Sequence, residues 1–121
     1  MSAPKSYAGG CHCGKVKFDV TFTEDLGTLT ACNCSICSRT GARLTFVPKA
    51  QFILHSGQDA LTDYTFGKHH IHHVFCSTCG VRSFAHGTGP GGKEMVAVNA
   101  RCLEGVDAEA QPVKHFDGKS L

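Results

Sequence analysis

The chain has 121 residues, 41% of them apolar and none of them Trp, which fits one domain over residues 1–121, with its core at about 7–118, and excludes a second core. Twelve Lys and Arg against ten Asp and Glu give a net charge of +2, spread along the chain. No basic block exists to neutralise phosphates, so neither nucleic acid nor an anionic membrane is an expected partner.

Met1 to Tyr7 contains no apolar segment and no later run approaches bilayer length, so a cytoplasmic location is expected. From Val16 to Phe22 the sequence V-K-F-D-V-T-F alternates strictly, which predicts a strand burying Val16, Phe18, Val20 and Phe22. Further short strands are expected at Leu29–Ala31, Ala42–Val47, Phe52–Leu54 and Thr62–Phe66, and then at Ile71–Phe75, Val81–Ala85 and Met95–Asn99. Gly27, Gly57, Asp59 and Gly67 punctuate them. No window carries a helical stripe of useful length, and single turns are expected at Ser35–Ser38 and Asp107–Gln111. The fold class is therefore all-β, with several short antiparallel strands and neither repeat nor linker.

Seven of the eight cysteines fall into three clusters: Cys11-His12-Cys13, Cys32-Asn33-Cys34-Ser35-Ile36-Cys37, and Cys76-Ser77-Thr78-Cys79. An even count also suits disulfides, but cysteines kept in the cytoplasm stay reduced, so close pairs there read as metal ligands. Two thiolates two residues apart can share one ion, and Gly80 after Cys79 permits the tight turn that aims N–H groups at sulfur. A thioredoxin-like redox pair would need a βαβ context, which the strand pattern does not supply. Seven thiolates exceed one tetrahedral zinc and divide as four and three; four close a structural zinc, whereas three leave a position for water or substrate. Spacing alone does not say which cluster supplies the three. A C-x-C pair and a C-x-x-C knuckle complement each other across the chain, giving Cys11, Cys13, Cys76 and Cys79 as the closed set. Cys32, Cys34 and Cys37 can cup a metal from one loop and form the open set.

The segments Gly9-Gly10-Cys11-His12-Cys13-Gly14-Lys15-Val16, Cys32 to Cys37 and Phe75-Cys76-Ser77-Thr78-Cys79-Gly80 resemble the glutathione-dependent formaldehyde-activating (GFA) family, which includes the domain of centromere protein V. The likeness extends to Val98-Asn99 and Phe116-Asp117-Gly118. It implies a small β-tent (Mss-like) fold and two zinc ions per chain. It also implies that Cys11, Cys13, Cys76 and Cys79 hold a structural zinc and that Cys32, Cys34 and Cys37 hold a catalytic one. The implied activity is that of a carbon–sulfur lyase similar to S-(hydroxymethyl)glutathione synthase, with glutathione or a similar thiol and formaldehyde or another small aldehyde as partners. An open three-thiolate zinc suits that chemistry, because it can deprotonate an incoming thiol at neutral pH. The alternative expectation is a non-catalytic interaction module in which a histidine closes the second zinc site.

His69, His70, His72 and His73 surround Ile71, and on a strand His70 and His72 share one face. They read as a solvated strand end, with metal or substrate binding as the alternative. Gly87 to Lys93 matches both G-x-G-x-x-G and G-x-x-x-x-G-K, but Glu94 stands where a P-loop needs Ser or Thr, so a hairpin loop is expected. Cys102 reads as a small buried side chain rather than an eighth ligand. Arg39 and Arg43 follow the open set closely, where they either offer charge to a substrate carboxylate or are solvated.

Overall fold

The computed structural model describes residues 5–23, 26–67 and 70–120. His69 and the first four residues lie outside that range. Among the described residues the chain is all-β, as expected, with one helical turn and several short 3-10 turns. Its strands are β1 (Lys5–Gly10), β2 (Lys17–Phe22), β3 (Leu29–Cys32), β4 (Leu44–Pro48) and β5 (Phe52–Ser56), with the helical turn α1 (Cys37–Thr40) between β3 and β4. There follow β6 (Leu61–Tyr64), β7 (Ile71–Cys76), β8 (Phe84–Thr88), β9 (Glu94–Asn99) and β10 (Val113–Phe116).

Two sheets result, one in the order β1-β2-β5 and the other in the order β10-β3-β4-β9-β8-β7-β6. Strand pairing is antiparallel except between β10 and β3, which run parallel. The several short antiparallel strands are as expected, with this one parallel pair added. The chain can make it because 80 residues separate the end of β3 from the start of β10, ample for a crossover connection.

The alternation in β2 buries Phe18, Val20 and Phe22 as expected. Val16 is also fully buried, but it precedes the strand, next to a register shift at Lys17 and Phe18. Phe18 stacks on Phe52 at 4.9 Å and meets Phe84 edge-on at 5.9 Å, which ties the smaller sheet to the larger one. Burying such a ring contributes about 1.5–3 kcal/mol, so this aromatic cluster is a main source of cohesion between the sheets.

One expected strand starts late, and two strands were not expected. β8 begins at Phe84 rather than Val81, because the Val81 carbonyl turns back to accept from the Cys76 N–H and the Ser83 carbonyl accepts from Asn99. β1 (K-S-Y-A-G-G) and β10 (V-K-H-F) carry no hydrophobic alternation; each forms by pairing with a stronger neighbour, β1 along the whole of β2 and β10 along β3. Gly87 to Lys93 is a hairpin connection as expected, with Gly91 and Gly92 at positive φ before β9 begins.

Candidate metal centres

The first cluster joins the two sheets. Cys11 and Cys13 lie on the turn after β1, Cys76 ends β7 and Cys79 follows in the knuckle. Their four sulfurs lie within 4.8 Å of one another, with Cys11 to Cys13 and Cys13 to Cys76 both at 3.6 Å. A disulfide would need about 2.05 Å, whereas four thiolates at about 2.3 Å around a tetrahedral ion stand about 3.8 Å apart. Backbone amides converge on the sulfurs. The Val16 N–H donates to Cys11 Sγ at 3.3 Å, and the N–H groups of Cys13 and then Val81 hold the Cys79 thiol down at about 6. Gly80, at φ 78°, lets its own N–H reach the Cys76 carbonyl at 2.7 Å and so closes the knuckle.

The second cluster is built locally. Cys32 ends β3, Cys34 lies in the loop and Cys37 opens α1, with their three sulfurs within 4.8 Å of one another. The Cys34 N–H donates to Cys32 Sγ at 3.4 Å, and α1 ends at Gly41 in the left-handed region. Burial pushes the Cys34 thiol up, but the N–H of Cys37 and neighbouring sulfur contacts outweigh it and leave the thiol below its ordinary value. Burial, then Cys34, push Cys37 up to about 12. Sulfurs this close cannot all shed protons without a cation between them. Both donor sets are therefore suited to a thiophilic ion, and zinc fits them.

Among the described residues only three ligand atoms form the second cluster, against four in the first. A cavity of about 420 Å³ opens beside Cys32 and Cys37, where Arg43, His115 and Phe116 also line it. His115 reaches this cavity without joining the sulfur cluster.

The chain's end forms a strap over the second cluster. Asn33 Nδ2 donates to Asp117 Oδ1 at 2.9 Å, while Asn33 Oδ1 accepts from the Lys119 N–H at 2.8 Å. A Cβ on Gly118 would collide with Cys32 Sγ, so only glycine lets the strap lie this close. Hydrogen bonds from Ser120 and then Asn33 hold the Asp117 carboxyl below the usual carboxylate range.

Other expected candidates settle as follows. Arg39 donates to the Ser35 carbonyl at 2.7 Å and so braces α1, while Arg43 lines the cavity. Cys102 is half-buried and belongs to neither cluster; burial pushes its thiol up to about 11. The solvated reading of the histidines fails for His73, which is 7% exposed. Its Nδ1 accepts from Arg82 at 2.7 Å and its ring stacks on Phe66. Arg82 in turn reaches Thr40 of α1, and its charge acts on Cys37. His72 faces the other way and meets Asp63.

A sequence model of the family described as glutathione-dependent formaldehyde-activating enzyme matches residues 6–118. The chain belongs to the GFA family. It is also similar to a solved Rhodobacter sphaeroides protein, with 31% identity and a TM-score of 0.77 over 88% of this chain and 99% of that one. GFA membership, two sulfur clusters able to hold metal ions and an all-β frame thus agree with one another. Spacing had indicated the cysteines of both clusters; it carried no sign of Asn33, Gly118, His115 or Arg82 as their neighbours.

Proposed function

We propose that this GFA-family chain is a carbon–sulfur lyase that joins glutathione or a similar small thiol to formaldehyde or another small carbonyl, and reverses the addition. The observation that carries the reading is ligand number: four sulfurs complete one cluster, whereas the other has three and borders a cavity with room for a substrate. Cys11, Cys13, Cys76 and Cys79 would hold a structural zinc, and Cys32, Cys34 and Cys37 a catalytic one. When bound at three thiolates, zinc supplies the charge that keeps an incoming thiol ionised at neutral pH.

The protein's own groups do the positioning. Arg43, in the cavity wall, offers a fixed cation to a substrate carboxylate, and His115 offers a second hydrogen-bonding group on the same wall. Phe116 supplies an apolar surface there, and the Asn33–Asp117 strap fixes the strand that carries both His115 and Phe116. In the reaction a C–S bond forms between the thiol sulfur and the carbonyl carbon, and the thiol proton ends on the carbonyl oxygen. Holding the two reactants together raises their effective concentration, which is the main gain for an addition that also occurs in water. The cytoplasm, where thiols stay reduced, is the expected setting.

A second reading has His115, which lines the same cavity but stands outside the sulfur cluster, turn inward to close the site as a fourth ligand. In that case both zinc sites are structural and the chain is an interaction module. Exchange of formaldehyde with glutathione, followed near equilibrium with zinc-loaded protein, separates the two. The enzyme reading expects faster exchange, lost in Cys34→Ser; no acceleration with any thiol, from protein holding two zinc ions, would leave only the module.

A further inference from the structure

A further cavity, of about 470 Å³, lies outside both sulfur clusters, lined by β5 of the smaller sheet and by β6 to β9 of the larger one. Its floor is apolar and aromatic: Phe52 and Phe84 meet there at 4.7 Å beside Leu54, Leu61 and Val96. Its volume falls within the roughly 300–1,000 Å³ typical of small-molecule sites.

The rim is built by strand register. His72 of β7 stands directly opposite His86 of β8, and His86 stands opposite Val96 of β9. The two imidazoles therefore share the face that, deeper in the sheet, buries Phe84 and Val96. Their rings stack at 4.8 Å with 17° between planes. Asp63 of β6 accepts from His72 Nδ1 at 2.6 Å, which fixes that ring and leaves Nε2 as its hydrogen-bonding atom for a ligand. Burial, then His72, keep the His86 ring below its ordinary pKa, so this side chain is uncharged at neutral pH.

The charged groups of the rim already have partners: Lys49 pairs with Glu94 at 3.3 Å, and Asp63 accepts from His72. A charged ligand would compete with these partners and with water, whereas an uncharged ring finds an apolar floor and an imidazole edge.

We infer that this cavity is a second small-molecule site, selective for an uncharged aromatic ring bearing a hydroxyl or N–H group that meets the His72–His86 pair over the Phe52–Phe84 floor. Catalysis at the cysteine triple does not enter the argument, and the site stands or falls separately from it.

The test is an NMR titration of the zinc-loaded full chain with phenol and 2-naphthol as probes, and with toluene and benzoate for comparison. Saturable one-to-one shifts should appear at the His72 and His86 rings and the Val96 methyls. 2-Naphthol should bind more tightly than phenol, and toluene and benzoate at least tenfold more weakly than phenol. Thr88→Trp, at the exposed rim, should fill the mouth and weaken phenol binding at least tenfold. His72→Phe keeps a stacked ring but removes Nε2, and should erase the preference for phenol over toluene. Shifts that do not saturate, equal binding of benzoate, or unchanged binding in both variants would overturn the proposal. So would a one-to-one shift of the two imidazoles by Zn²⁺ with no response to the phenols, which would make the pair a metal site.

Discussion

Cys34 and Cys76 carry the same thiol in different settings. Cys76 is fully buried at the end of β7 and touches a sulfur 63 residues away, whereas Cys34 sits on a half-exposed loop with partners only two and three residues distant. Cys34→Ser should therefore remove about one equivalent of zinc and the proposed thiol-addition activity while leaving the strands folded, read by elemental analysis and circular dichroism. His115→Ala divides the two functional readings at the same cavity. If His115 positions substrate, the variant keeps both zinc ions and raises KM for glutathione more than it lowers kcat; loss of the second zinc would identify it as a ligand. Local spacing revealed the cysteines because a chelating loop writes its ligands within a few residues of each other. His115, Asn33 and Gly118 had no such signature, since Asn33 meets Asp117 across 84 positions and only the folded sheet brings them together.

Among the elements, β10 and the strap beyond it depend least on their own sequence. V-K-H-F has no alternation and no turn signal, so its place beside β3 follows from pairing and from the two hydrogen bonds of Asn33. Asn33→Ala should cost about 0.5–1.5 kcal/mol, since its hydrogen bonds are exposed, and loosen the strap, read as faster zinc loss to a chelator from the second site. Gly118→Val should have a larger effect on the same rate, because its Cβ meets Cys32 Sγ. By contrast β2 was plain in the sequence, because half-buried strands write their faces at every second residue. β7 presents a different kind of element, with His72 turned to one side and His73 to the other. Burial, then the Arg82 charge, lower the His73 pKa. The unfolded chain therefore takes up this proton first as pH falls, and stability is lost on descending through the window just below the ordinary value of 6.5. His73→Phe, which keeps a ring against Phe66, should flatten that part of the melting-temperature profile relative to the parent protein.

At the scale of the whole molecule, the closed cluster is the point where β1, the β2 entry and the β7 knuckle converge. The all-β class was legible from short strands and turn residues; the sheet order was not, since nothing local tells β10 to lie beside β3 or β4 beside β9. The four cysteines supply some of the long-range information that strand patterns lack, by requiring residues 11 and 76 to meet. Structural zinc contributes an apparent 10–16 kcal/mol or so at neutral pH, comparable with the roughly 5–15 kcal/mol of net stability of an ordinary domain. The aromatic contacts of Phe18, Phe52 and Phe84 would not replace a contribution of that size. Cys76→Ser or Cys11→Ser should therefore leave the chain insoluble or unfolded, and a soluble Cys76→Ser variant with an unchanged melting temperature would remove the structural role. Chelation should follow the same hierarchy in the parent protein. The ion at Cys32, Cys34 and Cys37, reached from a cavity and bound by one loop, should leave first with little change in circular dichroism. Loss of the second ion should coincide with collapse of the strand signal. Simultaneous loss of both ions with the fold would instead make the two centres one cooperative unit.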